Sequence, residues 1–572
     1  MSRQKHIIVI GAGAGGTATA ARLAREGYRV TVVEKNDFNG GRCSLIHHNG
    51  HRFDQGPSLY LMPKLFEECF SDLDERIEDH LDLLRCDNNY KVHFDDGDSI
   101  HLSSDLTRMK REAERIEGED GFSRFLEFMK ETHVHYERGT FLAIKRNFES
   151  IFDMVKLKYA PEILRLHLFD QIYARAAKYF QTKKMRMAFT FQTMYMGMSP
   201  YDAPAVYSLL QYTEFAEGIW YPRGGFNMVV QKLEAIAQKS GAVFKYESPV
   251  AKINTADQDR RVTGVTLQDG TVLPADAVVC NADLVYAYHK LLPPCRWVRT
   301  TLASKKLTSS SISFYWSMKQ KILQLDVHNI FLAEAYKESF DEIFQDHTLP
   351  SEPSFYVNVP SRIDSSAAPA DKDSVIVLVP IGYMRSQDGN CDVDYQILVK
   401  RARTMVLEVL HRRLGLKNFA ELIEHEIVND PSVWQQKFNL WRGSILGLSH
   451  DVLQVLWFRP STKDSTGRYD NLFFVGASTH PGTGVPIVLA GSKLTATQVC
   501  QYFGKKGLTP SKLLSKATFE YAPEGDTAFT NHLVYMLLSL FSMGMTPAAF
   551  INACLPSPFR VVIAAAAEEI QI

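Results

Sequence analysis

Two runs of small residues, one near each end of the chain, have the composition needed to lay backbone against a charged or flat ligand. The first is Gly11-Ala12-Gly13-Ala14-Gly15-Gly16, a G-x-G-x-x-G run closing at Gly16. Its glycines permit a tight turn, approach of backbone to a pyrophosphate and close helix–sheet contact. A helix starting there would aim unpaired N–H groups and the positive end of its dipole at phosphate oxygens. Glu34 follows Gly13 by about 20 residues, the interval at which an acid meets the ribose hydroxyls of a dinucleotide. Gly11, Ala12, Gly13, Gly16, Glu34 and the adjacent Lys35 are therefore candidate dinucleotide contacts.

The glycines alone do not separate FAD from NAD. The segment Asn39-Gly40-Gly41-Arg42-Cys43-Ser44 does, because it stands where a simple NAD domain would begin another crossover helix. A glycine pair admits a diphosphate while the Arg42 guanidinium pairs with it, so Gly41 and Arg42 join the set and FAD is favoured. Gly56, Pro57 and Ser58 then carry the chain past the expected ring. The second small-residue run, Gly476-Ala477-Ser478-Thr479-His480-Pro481-Gly482-Thr483-Gly484-Val485-Pro486, follows an apolar strand, Asn471–Val475. Pro486 suits the first turn of a helix running to about Tyr502. That helix's N-terminus would stabilise negative charge on a reduced flavin pyrimidine. Gly476, Gly484, Val485 and Pro486 are the candidates here.

The elements that must position these residues are legible around them. His6–Ile10 is a buried strand, too short for a signal-peptide core and entering glycines rather than a cleavage site. A small-residue helix, about Gly15 to Glu26, leads to a second strand, Arg29–Val33. Val250–Ile253, Val262–Leu267, Val272–Leu273 and Ala277–Asn281 form a meander crossing back to that sheet, and Ser309–Trp316 and Ser374–Val379 are strands of a second one. Asn49-Gly50 predicts a type I′ hairpin, Leu45–His48 with His51–Asp54. Its histidines are expected to be exposed, with no carboxylate or thiolate at ligand spacing and so no metal.

Past those residues the chain resembles the flavin-dependent amine oxidase/phytoene desaturase superfamily. The resemblance rests on the glycine loop, Gly40-Gly41-Arg42, Phe53-Asp54-Gln55-Gly56-Pro57-Ser58 and the run ending in Trp220-Tyr221-Pro222-Arg223-Gly224-Gly225. The C-terminal glycine string is the most specific element, and the whole is most similar to phytoene desaturases of mucoralean fungi among bacterial-type carotenoid desaturases. The resemblance implies an α/β fold: a discontinuous Rossmann-like FAD-binding domain, a mixed-sheet substrate domain and a helical, membrane-facing subdomain. It places Val250 at the adenine side. The expected division is 1–104 (first part of the FAD domain), 105–192 (helical subdomain), 193–242 (substrate-domain segment), 243–283 (FAD-domain strands), 284–465 (substrate domain), 466–504 (closing FAD segment) and 505–572 (tail).

The implied activity is desaturation of phytoene through partly desaturated carotenes towards lycopene. Flavin accepts hydride and the protein supplies orientation and an apolar tunnel. No residue is assigned as catalytic base. NAD enters as an alternative cofactor or a final electron acceptor. Alternatives are a flavin oxidase of another isoprenoid, an amine or a porphyrinogen, or a non-enzymatic prenyl-binding escort protein of the Rab GDP-dissociation-inhibitor type.

Charge bears on the partners. Lys+Arg 64 against Asp+Glu 65 leaves a net charge of -1, so no global field draws the chain to nucleic acid. The 8 Cys are scattered without a C-x-x-C pair, as befits reduced thiols rather than a disulfide framework. Thr527–Phe559 lacks any Asp, Glu, Lys or Arg, but its densest block, Leu533–Met545, is too short to span a bilayer and prolines follow it. With the amphipathic stretch around 151–168, this tail predicts an intracellular protein associated with membrane lipid, peripherally or through a C-terminal anchor, and the resemblance implies contact with other carotenogenic enzymes.

Overall fold

Continuous apolar runs in this chain end up in a parallel sheet covered on both faces, where no strand face is spared burial. The computed structural model describes residues 3–146, 163, 165–256, 260–385, 394–451, 454, 459–511 and 513, all within one compact unit, Met1–Lys516. Among them, five parallel strands lie in the order Leu472–Phe474, Ala277–Cys280, His6–Ile10, Arg29–Val33, Val243–Lys245. Ile7 to Ile10 pair with Ala277 to Cys280 on one side and with Val30 to Val33 on the other. Strands from the beginning, middle and end of the sequence therefore share one sheet.

The opening helix, Ala14–Arg25, is buried along nearly its whole length. Ala18, Ala20, Ala21 and Ala24 let it lie close beneath the sheet, between the helices Asn227–Lys239 and Val485–Tyr502. A buried ion pair fixes the arrangement. Arg22 Nη2 donates to Asp72 Oδ2 at 2.9 Å and its Nη1 donates to Ser492 Oγ at 2.7 Å, while Lys493 Nζ donates to Asp72 Oδ1 at 2.7 Å. Opening helix, closing helix and the helix Pro63–Ser71 are thereby tied at one point.

The second large sheet is mixed. Its order is Ile423–Asn429, Ser310–Met318, Ser374–Ile381, Phe355–Asn358, His328–Phe331, Tyr90–His93, Ser99–Leu102. Only the contact of His328–Phe331 with Tyr90–His93 is parallel. The strands within 90–102, grouped by sequence with the nucleotide-binding part, are thus the edge of the other sheet. Against that edge pack the helices Leu106–Glu117 and Gly121–Gly139 and an apolar cluster including Phe125, Phe128, Phe180, Phe189 and Phe191.

Two local expectations need correction. The meander does not enter the parallel sheet as a block: Val250–Ala256, Arg261–Leu267 and Val272–Pro274 form their own antiparallel sheet, and only Ala277–Cys280 joins the parallel one. The hairpin forms as expected, with φ 45° at Asn49 and 82° at Gly50. Its histidines, however, are not all exposed. His51 is buried and its Nδ1 is hydrogen-bonded to Ser374 Oγ at 3.0 Å, while His48 stacks on His425 at 3.6 Å. The hairpin lies along the second sheet, which covers that side. The amphipathic stretch around 151–168 falls largely, and the apolar tail wholly, outside the described residues. Among the described residues no helix is long and apolar enough to cross a membrane.

Candidate functional site

The glycine loop joins the first strand to the opening helix, and a side chain on Gly13, Gly15 or Gly16 would collide with its surroundings. A Cβ on Gly16 would stand 2.1 Å from the Gly11 carbonyl oxygen, and one on Gly13 would stand 2.8 Å from Asn281 Oδ1. Gly11 itself turns the chain at φ 95°, its N–H donating to Val33 at 2.8 Å. The Glu34 carboxylate reaches back to the loop: Oε2 accepts from the Ala12 N–H at 2.8 Å and Oε1 from the Asn36 N–H at 2.9 Å. Oε1 also accepts from Asn36 Nδ2 at 3.0 Å, so Oε2 is the oxygen that keeps a lone-pair direction for a further donor such as a ribose hydroxyl.

Gly40-Gly41-Arg42 lies directly on this loop. The Gly40 N–H donates to the Ala12 carbonyl at 2.8 Å, and a Cβ on Gly41 would lie 3.7 Å from the Gly13 Cα. Two glycine turns therefore face each other, a cradle that fits a diphosphate and that a side chain on either turn would fill. Arg42 Nη1 donates to the Ile445 carbonyl, and burial lowers its pKa against the opposing pull of Asp283. Burial pushes Asp283 up to about 6, opposed by the Tyr286 N–H and by Arg42. Lys35 turns away: its Nζ donates to the Gln436 carbonyl at 2.7 Å and to Asn439 Oδ1 at 3.0 Å.

Gly56 packs under Arg42, where a Cβ would meet the Arg42 carbonyl oxygen at 2.6 Å. Pro57 is half-buried, and Ser58 Oγ is hydrogen-bonded to Tyr356 Oη at 2.8 Å. Val250 begins its strand among Ile10 and Val33, two residues after Ser248, whose N–H donates to the Glu34 carbonyl at 2.7 Å. The structure thus sets Val250 beside the Glu34 end of the cradle.

The C-terminal string comes to the same place. Gly476 lies beside Asn281, whose Nδ2 donates to the Val475 carbonyl at 2.8 Å. Gly484, at φ 96°, caps the closing helix; Pro486 occupies its first turn, and Val485 packs on Ala14 and Cys43. The string is braced from behind by buried Arg459, which donates to the carbonyls of Ala477, Thr479 and Ser449. Burial pushes Arg459 down to about 10 and the neighbouring His480 down to about 4. His480 is therefore a neutral imidazole, held on the Arg146 carbonyl at 2.6 Å. A neutral ring there adds no charge to the site.

Asn281, Asp283 and Arg459 escaped the reading of the sequence. Asn281 follows the C-terminal end of a parallel strand, the edge at which open α/β sheets bind ligands, and that position was the available signal. Arg459 has no local motif at all.

Comparison with known proteins agrees with this geometry. Residues 14–500 match the family of flavin containing amine oxidoreductases. The chain is 70% identical to a phytoene desaturase of Phycomyces blakesleeanus over 99% of both proteins. It is 42% identical to a zeta-carotene-forming phytoene desaturase of Myxococcus xanthus, over 90% of this chain and 97% of that one. The structure of a putrescine oxidase covers 87% of this chain and 99% of its own with a TM-score of 0.58; at 14% identity this is a likeness of fold alone. A cradle shared by both ends of the chain, a family match from the opening helix to the closing one and relatives matched end to end agree: the chain belongs to the flavin-containing amine oxidoreductase family, among its phytoene desaturases.

Proposed function

We propose that this protein desaturates phytoene by successive dehydrogenations towards lycopene, with FAD as resident cofactor. The observation that carries the reading is the 70% identity over 99% of the chain to a phytoene desaturase, in a fold whose glycine turns leave room for a diphosphate. Gly11, Ala12, Gly13, Gly16, Gly41 and Arg42 would hold the diphosphate, Glu34 the ribose and Val250 the adenine side. Gly56 to Ser58, Gly476 and the helix start at Gly484–Pro486 would border the ring. When bound, the flavin supplies a hydride acceptor. Segments 1–104, except the strands within 90–102, together with 243–283 and 466–504 serve the nucleotide, and 284–465 with those strands the carotene.

A carotene offers no polar handle, so binding must rest on apolar area of about 25 cal/mol per Å². The aromatic cluster around Phe125, Phe189 and Phe191 supplies such area, and Ile487 and Ala490 of the closing helix pack against it. Expression in cells that make phytoene tests the reading. Coloured carotenes and a yellow purified protein are expected, and unchanged phytoene would sink it. NAD and oxygen are acceptors to be compared by reoxidation of the reduced protein. We further propose peripheral membrane association, through the tail and the 151–168 stretch. Truncation after Gly504 should weaken liposome binding and spare flavin content, whereas resistance of the full chain to alkaline carbonate would instead favour a spanning anchor.

A further inference from the structure

Packing alone does not call for one carboxyl buried in the apolar layer. Glu214 is completely buried and sits on a single wide turn with i→i+5 geometry, Thr213–Glu217, a feature often found at functional sites. Tyr90 Oη donates to its Oε1 at 2.8 Å and Gln192 Nε2 to its Oε2 at 3.2 Å. Gln192 is held in turn by Gln211 Nε2 at 2.9 Å, and Asn89 Nδ2 donates to the Glu214 carbonyl at 2.8 Å. The titratable groups that face the carboxyl are Tyr90 from the sheet edge and Tyr195 from the turn Phe191–Met196. Neither is a cation, and among the described residues Glu214 makes no ion pair. Burying a carboxylate under these terms costs several kcal/mol.

Glu214 is joined to the ring side of the molecule. The Tyr90 ring lies 6.0 Å from that of His328. His328 Nδ1 is hydrogen-bonded to Tyr356 Oη at 2.7 Å, and Tyr356 Oη to Ser58 Oγ at 2.8 Å. The Tyr195 ring is 6.4 Å from that of Tyr356, and the Met62 N–H, just past Ser58, donates to Thr213 Oγ1 at 3.0 Å. Hydrogen bonds from Ser58 through Tyr356 to His328, continued by ring contacts with Tyr90 and Tyr195, therefore connect the segment expected at the flavin ring with the buried acid. Burial pushes Glu214 up to about 8 and His328 down to about 3, so the histidine stays neutral and the carboxyl alone titrates near neutrality.

Resting on the desaturase reading, we propose that Glu214 is the proton acceptor of the dehydrogenation. Two C–H bonds of the carotene break in each turn of reaction. One would leave with its electron pair as hydride, for which an oxidised flavin held at the glycine cradle would be the acceptor. The electron pair of the other closes the new C=C bond, and its proton forms an O–H bond on the Glu214 carboxylate. A base that titrates near the working pH is the efficient one, and such a group contributes about 100-fold or more to rate.

The test uses the flavin-loaded full-length chain and phytoene in liposomes. Wild-type kcat should rise with pH along a limb centred near 8. Glu214→Gln should retain flavin, lose about 100-fold in kcat and lose the limb. Tyr90→Phe removes a donor that favours the carboxylate, so it should move the limb to higher pH by about half a unit to one unit. Infrared difference spectra should show a protonated-carboxyl band that fades as pH passes 8 in wild type and is missing from Glu214→Gln. That band and the Tyr90→Phe shift decide the matter even if Glu214→Gln fails to fold. A Glu214→Gln enzyme within threefold of wild type, one that keeps the limb, or a wild type without the titrating band would overturn the assignment. A wild type inactive on phytoene at every pH would overturn the desaturase reading beneath it.

Discussion

The nucleotide side and the hydrocarbon side of this molecule are built on opposite principles. Around the glycine loop, backbone groups and one carboxylate occupy fixed points: Ala12 is bound through both its N–H and its carbonyl, to Glu34 and Gly40. Around the second sheet's edge, rings meet at 4.7 to 5.7 Å in several orientations, as Phe180, Phe125 and Phe128 do around Phe189. A dinucleotide is recognised by where donors stand, a hydrocarbon by how much apolar surface is removed from water. One side should therefore fail at a single added methyl group, while the other should absorb exchanges of similar volume.

The sharpest way to break that contrast is at the loop. Gly16→Val forces a side chain into the Gly11 carbonyl, which a Cβ would meet at 2.1 Å, and Glu34→Lys removes the acceptor for the Ala12 N–H. Both are expected to abolish flavin binding, read as flavin absorbance per polypeptide. Phe189→Leu on the other side should cost about 1–3 kcal/mol of stability and leave the flavin in place. Full flavin stoichiometry in both loop variants would refute the placement of the nucleotide.

This difference also explains what the sequence made legible. Gly11 to Gly16, Glu34 and Gly40-Gly41-Arg42 are constrained by residue type at short spacing, so they could be read directly, and the helix at Val485–Tyr502 followed from Pro486. Lys35 lies beside Glu34 in sequence but faces Gln436 and Asn439, because alternate residues leaving a strand point to opposite sides. Asn281 acts across a long interval of chain, and only folding brings it to the glycine string, whereas Arg459 stands near the string in sequence but carries no motif that marks it. The burial of His51 was illegible for the same reason: its cover, Ser374, comes from a distant strand.

The next effect in size tests whether the nucleotide side is held together by its ion pair. Asp72 is buried; burial favours its neutral form, but Arg22 and Lys493 outweigh that and hold its pKa below the ordinary value. Asp72→Asn leaves Arg22 buried without its counter-charge and should cost about 3–5 kcal/mol, seen as a fall in Tm. Wild-type contributions from this pair should be present above pH 4 and fade as pH falls through the depressed Asp72 pKa.

A smaller effect is expected at the C-terminal string, where the two sides meet. Gly482 sits at φ 144° with Arg459 behind it, and a Cβ there would make only ordinary contact, 3.8 Å from the guanidinium carbon. Gly482→Leu should fold with about 1–3 kcal/mol of local strain and retain flavin. Displacement of the string should cut the desaturation rate by about 100-fold, the sensitivity expected of a misplaced reacting centre. A wild-type pigment yield would show that the string only closes the fold.

The smallest effect concerns Asp283, and it sharpens the comparison because it asks whether the nucleotide side tolerates an imperfectly matched charge. Its Oδ1 accepts the Tyr286 N–H at 2.9 Å, so asparagine can preserve the turn. Burial raises the carboxyl to about 6, opposed by that N–H and by Arg42, whereas an unfolded aspartate titrates near about 3.9. Between those values the unfolded chain is ionised and the folded one still holds the proton. The stability this proton brings is complete below about pH 4 and is lost as pH rises to about 6. Asp283→Asn removes the titration, so its Tm relative to wild type should climb over that window and then level off, by the equivalent of about 3 kcal/mol. Bound FAD should widen the difference if Arg42 turns to the diphosphate and leaves Asp283 less well matched. A constant difference from pH 4 to 7, with or without FAD, would mean that Asp283 is ionised throughout and that Arg42 belongs to it rather than to the nucleotide.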